Sequence, residues 1–137
     1  MLSRHRFAPI TEPLTRDGTF LARAMFGCVA CYLSGRLVLV LADRGEPWQG
    51  LLIPSERSVH ASILADHPSL RVHPVLGKWL YLVDDTRRFT ATAAAIVDRI
   101  QARDERFGVE PPLARLPRRP GARTRPRGSS RRTGAAG

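Results

Sequence analysis

Apolar residues in the first half of the chain form short runs separated by turn residues, a pattern typical of β-strands. The runs MFGCVACYL, RLVLVLA and WQGLLI occupy residues 25–33, 36–42 and 48–53. A Ser-Gly pair and the cluster DRGEP separate these runs, and both contain a glycine that can take the positive φ of a tight turn. Because parallel strands need long crossover connections, these short turns predict an antiparallel meander of three strands.

The clearest helical pattern lies near residue 90. Its apolar positions recur at intervals of three and four residues, which places them on one face of a helix: Phe89, Ala93, Ile96, Val97 and Ile100. Asp84 or Asp85 is the predicted N-cap of this helix, since aspartate accepts hydrogen bonds from free backbone N–H groups.

A second helix is predicted over residues 55–67. Pro54 ends the third strand, Ser55 is a suitable N-cap, and Glu56 interacts favourably with the helix dipole. The expected buried face of this helix consists of Val59, Ile63 and Leu64.

The remaining elements are shorter. LRVHPV at 70–75 and KWLYLV at 78–83 predict two strands around a turn from Pro74 to Gly77, and a weak helix is expected within 9–17. The predicted order is helix, three strands, helix, two strands, helix. We therefore predict an α+β fold of two layers, a five-stranded antiparallel sheet with helices on one face.

The composition changes near residue 108. Residues 109–137 are rich in arginine, proline and glycine, so they bury too little apolar surface to offset their ordering entropy, which predicts a disordered tail. The chain divides into an N-terminal arm (1–18), a folded domain (19–108) and this tail. The tail holds eight arginines and, from residue 111, no acidic residue: Arg115, Arg118, Arg119, Arg123, Arg125, Arg127, Arg131 and Arg132.

The net charge is concentrated in the same segment. The formal charge of the chain is +10, and removing the eight tail arginines leaves +2 for residues 1–110. Arginines on an extended backbone attract phosphates through counterion release, with little sequence preference. Nonspecific contact with nucleic acid is therefore one predicted role of the tail.

Two observations indicate the expected compartment. The longest apolar run, 37–42, is far short of the roughly 20 residues that a membrane span needs, and the N-terminus lacks the apolar core of a secretory signal. The two cysteines fit a reducing environment. We expect a cytoplasmic protein that does not use a membrane as its partner.

Three short motifs carry a family resemblance. The segments ARAMFG, YLSGR and GKWLYL resemble the N-terminal domain of the TfoX competence regulators and their stand-alone bacterial relatives, over roughly residues 20–105. The matching positions are Met25, Phe26, Gly27, Tyr32, Leu33, Gly35, Arg36, Gly77 and Lys78. The resemblance implies a two-layer α+β fold and brings no established catalytic residues, and TfoX itself is associated with regulation of DNA uptake genes.

The two cysteines raise the question of a thiol or zinc site. Cys28 and Cys31 form a CxxC, and His67 and His73 nominally complete a zinc ligand set. The 35 residues between the two pairs far exceed the usual 12–15. On a strand, residues i and i+3 point to opposite faces with Cα atoms about 10 Å apart, too far for an unstrained disulfide. We therefore reject the metal site, expect no cofactor, and expect both thiols to be buried packing groups.

Other candidate chemistry is sparse. The sequence has no G-x-S-x-G elbow and no glycine-rich phosphate loop, and the carboxylate pair Asp84-Asp85 is better explained as a helix cap. Trp48, Trp79 and Tyr81 form either a stacking platform for bases or part of the core, with the core more frequent for aromatics on strands. Lys78, beside Trp79, is the best candidate for a functional surface residue in the folded part.

These observations favour a non-enzymatic regulatory or protein-interaction module. It would bind a protein partner, or a second copy of itself, through its sheet or a strand edge. The alternative is a nucleic-acid-binding accessory protein that acts through its basic tail. A thiol- or zinc-dependent protein that uses the CxxC is the least favoured hypothesis.

Overall fold

The computed structural model describes residues 5–111. The eight tail arginines lie outside the described residues, as does most of the segment predicted to be disordered. The α+β class and the antiparallel meander predicted from the sequence are both confirmed.

The described strands form one antiparallel sheet in the order β1-β2-β3-β4-β6-β5. Their bounds are β1 (Leu21–Met25), β2 (Cys28–Leu33), β3 (Arg36–Asp43), β4 (Gln49–Ile53), β5 (Arg71–Val72) and β6 (Leu80–Val83). The first four strands follow one another in space as they do along the chain. β6 pairs with β4, and the two-residue β5 lies at the far edge.

The predicted count of five strands is wrong, because the run 25–33 contains two strands rather than one. Phe26 and Gly27 have φ of 51° and 80° and form a two-residue turn between the paired residues Met25 and Cys28. Positive φ at both turn positions is the geometry of a type I′ hairpin. The motif Met-Phe-Gly therefore ends β1 and makes the turn, instead of opening the first strand.

The predicted hairpin between β2 and β3 is present. Its turn residues Ser34 and Gly35 have φ of 51° and 80°, the same values as in the first turn. Serine followed by glycine is a common turn pair, whereas phenylalanine is rarely found at positive φ. This difference explains why one hairpin could be predicted and the other could not.

Two α-helices are present among the described residues, α1 (His60–Asp66) and α2 (Phe89–Gln101). The five apolar positions predicted for the last helix are all buried. The predicted caps are wrong. The N-cap of α2 is Arg88, without a side-chain hydrogen bond, and Asp84 instead pairs with Arg6 at 3.0 Å.

α1 is shorter than predicted. A 3₁₀ helix over Arg57–Val59 precedes it, and the Ser55 hydroxyl donates to the Ile53 carbonyl rather than capping a helix. The weak helix expected within 9–17 is replaced by two short 3₁₀ helices, Ala8–Thr11 and Leu14–Arg16. Prolines in this arm interrupt backbone hydrogen bonding, so a continuous α-helix does not form.

The sheet has an apolar cluster on each face. The helices pack on one face, where they bury strand residues such as Cys31, Leu39, Leu51 and Leu82. The opposite face carries a second apolar cluster that no described helix covers: Cys28, Ala30, Leu37, Val40, Ala42, Leu52, Trp79, Tyr81 and Val83. β3 is therefore apolar at every position from 37 to 42, since both of its faces are buried.

Candidate binding groove

A groove of about 1480 Å³ lies on the helix-free face of the sheet. Strands β1 to β4 and the loop before β6 contribute mainly apolar and aromatic side chains to it, among them Met25, Tyr32, Val40, Leu52, Leu76 and Trp79. Sites for one small ligand usually measure about 300–1,000 Å³. The size and open shape of this groove suit an extended segment better than a compact metabolite.

One wall of the groove depends on the buried side chain of His73. Its Nδ1 accepts hydrogen bonds from the backbone N–H groups of Val75 and Leu76, at 3.1 and 3.0 Å. Its Nε2 lies 2.6 Å from the carbonyl oxygen of Pro47, which fixes the neutral tautomer with the proton on Nε2. His73 thereby ties the loop after β3 to the loop before β6.

The same histidine positions an aromatic residue of the groove. Its ring centroid lies 4.5 Å from that of Trp48 and 4.9 Å from that of Tyr81. Trp48 and Leu76 both line the groove. The shape of this wall is therefore coupled to the protonation state of His73.

We expect stability to fall at acidic pH because of His73. Burial lowers the pKa of His73 below the ordinary value of 6.5. The hydrogen bond to Pro47 raises the pKa in part, and the smaller effects of Arg71, which lowers it, and Glu46, which raises it, oppose each other. Above pH 6.5 the folded and unfolded chains are both neutral at this site. Below it the unfolded chain binds a proton that the folded chain resists, so the free energy of unfolding decreases as pH falls.

The measurement is urea unfolding at pH 8 and pH 5. Protonation of Nδ1 removes the acceptor of two backbone N–H groups, which should lower the free energy of unfolding by about 1–2 kcal/mol. In His73→Asn the amide oxygen keeps an acceptor near these groups but does not titrate. This variant should be less stable at pH 8 and show a smaller loss on acidification, the remainder arising from His5 and His67, whose pKa values burial also lowers. An equal loss in both proteins would contradict this role for His73.

The rim of the groove is cationic. Arg23, Arg44, Arg57 and Lys78 line it and are all exposed, and within residues 5–111 none of them forms an ion pair. By contrast, six other described arginines do pair with carboxylates: Arg6, Arg16, Arg71, Arg99, Arg103 and Arg106. The groove therefore concentrates cations whose charge the described fold leaves uncompensated.

Two of these cations lie next to each other. A Cβ atom on Gly77 would be 3.8 Å from Nη2 of Arg57, which places this guanidinium beside the residue that precedes Lys78. The ammonium of Lys78 lies 5.5 Å from the centroid of the Trp79 ring, a cation–π contact. Arg57 and Lys78 thus form a positive patch next to an aromatic wall.

Phe26 is the most exposed large apolar residue among those described, with 87% of its surface accessible. It occupies the first position of the β1–β2 turn at φ 51°, where a bulky side chain is strained and asparagine, aspartate or glycine is preferred. Nη1 of Arg44 donates to the Phe26 carbonyl at 2.8 Å, and the Arg44 side chain lies against Gly27. The fold therefore displays an aromatic ring beside a cation at the mouth of the groove.

Replacing Phe26 with asparagine should stabilise the free protein. Asparagine adopts positive φ more readily, and the exposed ring contributes little burial, so we expect the free energy of unfolding to rise by about 0.5–1 kcal/mol. Chemical unfolding followed by circular dichroism measures this change. A loss of stability greater than about 1 kcal/mol would show that the ring supports the fold and is not a displayed group.

Arg36, one of the residues of the family resemblance, helps to hold the last described segment against the sheet. Arg36 donates from Nη2 to the Gly108 carbonyl at 2.7 Å, which fastens the last described segment onto the sheet. Val109, placed in the tail by the sequence analysis, exchanges two backbone hydrogen bonds with Leu37. As a result Glu110 and Pro111 border the groove, and the chain leaves the described region there.

The candidate zinc ligands are dispersed. Cys28 belongs to the apolar cluster of the groove face, and Cys31 belongs to the cluster under the helices. Burial raises the pKa of the Cys31 thiol to about 12 and also raises the pKa of Cys28, where Arg44 partly opposes it. His67 packs against Phe107, whereas His73 contacts Pro47 and Trp48. Within residues 5–111 no cluster of three or more potential metal ligands is present.

The aromatic residues do not form an exposed stacking platform. Tyr81 is completely buried, and its hydroxyl accepts a hydrogen bond from the Gln49 N–H at 2.8 Å. Trp79 is 8% accessible, and Trp48 is half-buried against His73. These rings therefore serve as walls of the groove and as part of its apolar cluster.

Lys78 was identified from the sequence, but the groove and its other cations were missed. A signal for the groove was present, because an uninterrupted apolar strand needs cover on both faces and the predicted helices cover one. The cations Arg23, Arg44 and Arg57 are far apart in the sequence, and only the fold brings them to one rim.

No described helix is long and apolar enough to span a bilayer.

Comparisons with protein-family models, with curated proteins and with solved structures found no match for this chain.

Proposed function

We propose that this chain is a small, non-enzymatic protein-interaction module that binds an acidic, partly apolar segment of a partner protein in the groove. The observation that carries this proposal is the combination of a large apolar groove with four exposed cations that have no ion-pair partner among the described residues. The apolar walls supply burial, and the rim supplies charge complementarity. The TfoX-like resemblance is compatible with a regulatory role of this kind in a cytoplasmic setting, where both thiols stay free.

The charge distribution supports an acidic ligand. The groove rim carries four cations and two acidic residues, Glu56 and Glu110, so its net charge of +2 equals the whole formal charge of residues 1–110. The eight tail arginines follow Pro111, which borders the groove. An acidic partner is therefore attracted first by the long-range field and then by the rim, and its association rate should decrease with salt.

Protein side chains fit the groove better than nucleic-acid bases do. Base stacking needs exposed aromatic faces at successive positions, whereas Tyr81 is buried, Trp79 is nearly so, and Phe26 presents a single exposed ring at the groove mouth. The groove also exposes aliphatic and thioether groups, such as Leu76 and Met25, which favour apolar side chains.

A selection of random twelve-residue peptides displayed on phage against the full chain tests this proposal. We expect the enriched peptides to combine glutamate or aspartate with leucine, isoleucine or phenylalanine, and to bind more weakly at high salt. Enrichment of basic peptides, or no enrichment above an unrelated protein of the same net charge, would refute it.

A second candidate function rests on the tail alone. Eight arginines without an acidic residue in 111–137 suit nonspecific phosphate contact. A full-chain variant with these arginines replaced by glutamine should lose salt-sensitive binding to single- and double-stranded DNA and to RNA, and should fold normally. If the original chain does not bind nucleic acid at low salt, this second function is excluded.

A further inference from the structure

Beside the groove, the outer edge of β1 carries backbone groups that have no hydrogen-bond partner among residues 5–111. The two-residue turn makes Met25 and Cys28 a hydrogen-bonded pair, and the pairs along an antiparallel ladder then alternate. Arg23 and Leu21 therefore bond to β2, whereas the N–H and C=O groups of Ala22 and Ala24 point away from the sheet. No described loop forms a backbone hydrogen bond with either alanine.

The side chains of this strand are suited to an added strand. Leu21, Arg23 and Met25 line the groove, in the order apolar, cationic, apolar. Leu21 is 48% accessible, and the strand contains no proline to prevent pairing at its edge. Phe26 stands at the end of the same edge and offers an aromatic contact.

We propose that the partner segment adds to the sheet as a further antiparallel strand along β1, with an apolar–acidic–apolar triplet on its groove side opposite Leu21, Arg23 and Met25. This inference rests on the proposed function and specifies how the ligand is held. Backbone hydrogen bonds to Ala22 and Ala24 supply affinity, and the triplet supplies specificity, as in other cases of strand addition. Phe26 packs against the segment where it passes the hairpin.

Charge favours an acidic partner segment over a second copy of this chain and over the tail of the same chain. If two copies paired through β1 with Ala22 opposite Ala24, Arg23 would lie directly opposite its own copy, and like charges in that position are destabilising. The arginines in the sequence of the tail carry the same sign of charge as this rim, so the rim would repel them. A carboxylate opposite Arg23 instead gives this guanidinium an ionic partner.

The test uses a fluorescein-labelled peptide with the core Leu-Thr-Glu-Thr-Leu and the full chain, with Kd measured by fluorescence anisotropy. Lysine in place of the glutamate should weaken binding at least tenfold. Methylation of the two threonine amides, which face Ala22 and Ala24, should also weaken it at least tenfold, whereas methylation of the leucine and glutamate amides should change Kd less than threefold. Equal Kd values for the two methylated peptides, or no binding of the parent peptide at 1 mM, would overturn strand addition.

Two variants examine the protein side. Ala24→Pro removes an outward N–H that makes no bond within the sheet, so it should fold and should weaken peptide binding at least tenfold. Phe26→Asn should weaken binding about threefold or more. Unchanged Kd in a folded Ala24→Pro protein would contradict the proposal, and if that variant does not fold, the methylated peptides decide.

Hydrogen exchange and light scattering of the free full chain test whether another segment of the chain or a second copy occupies the β1 edge. We expect fast amide hydrogen exchange at Ala22 and Ala24, slow exchange at Arg23, and a monomer by light scattering. Slow exchange at both alanines would assign the edge to another segment of this chain, and a concentration-dependent dimer that protects them would assign it to a second copy.

If selected peptides bind in the groove but do not protect these amides, strand addition fails and the proposed function stands. If no peptide is selected, the proposed function fails.

Discussion

Replacing Gly50 with alanine should destabilise the protein by about 3 kcal/mol or more, a large part of the stability of a domain of this size. Gly50 lies in β4, between β3 and β6, with φ of 142°. A Cβ atom there would clash with the Leu82 carbonyl oxygen and lie 3.0 Å from the Asp84 nitrogen. Both are backbone atoms of the adjoining strand and turn, so relief requires the strands to separate.

Two other glycines provide matched controls for this substitution. Gly18 has no atom within 4 Å of a built Cβ, and Gly35 has equal space but φ of 80°. We expect almost no effect from Gly18→Ala, a loss of about 1 kcal/mol from Gly35→Ala through backbone strain alone, and the largest loss from Gly50→Ala. Urea unfolding of the three variants measures the order. A Gly50→Ala protein within about 1 kcal/mol of Gly18→Ala would contradict the described pairing of β4 with β6.

Replacing Arg57 and Lys78 together with glutamate should weaken binding of a selected acidic peptide about thirty- to hundredfold. An exposed ion pair is worth about 0.2–1 kcal/mol, and charge reversal replaces that attraction with repulsion of similar size. Two adjacent reversals therefore cost about 2–3 kcal/mol, at about 1.4 kcal/mol for each factor of ten in Kd. Since this interaction is electrostatic, most of the difference should disappear at 1 M salt.

The control for this variant is Arg87→Glu/Arg88→Glu. Both arginines are exposed, do not line the groove, and have no ion-pair partner among the described residues. The substitution changes the net charge by the same amount, so it separates a local effect at the groove from the field of the whole chain. An equal loss of affinity in the two double variants would show that overall charge, and not the groove rim, attracts the peptide.

Most of the sheet could be predicted from the sequence because its strands are apolar runs between recognisable turns. β3 and the buried face of α2 follow directly from such patterns. The first hairpin could not be predicted, since Phe26 is a poor turn residue and the local signal favours a continuous strand. The helix starts were also missed, because Ser55 bonds locally to the Ile53 carbonyl and Asp84 forms an ion pair with Arg6, which only the tertiary fold brings close.

Less of the candidate site than of the fold could be predicted from the sequence. Lys78 was recognised beside Trp79, and a sheet face or strand edge was predicted as the interaction surface. The rim arginines could not be assigned, because paired and unpaired arginines look alike in a chain with 21 of them, and only the fold shows which have carboxylate partners. The buried role of His73 likewise depends on a loop contact with Pro47, 26 residues away.

Acidic peptides are expected to occupy the groove, and the fluorescence of the two tryptophans of the chain reports whether they do. Trp48 and Trp79 both line the groove, and the sequence contains no others. A selected peptide without tryptophan should reduce acrylamide quenching of their fluorescence, with half-saturation at the Kd found by anisotropy. Saturating peptide that leaves the quenching constant unchanged would place the bound peptide elsewhere and contradict the account.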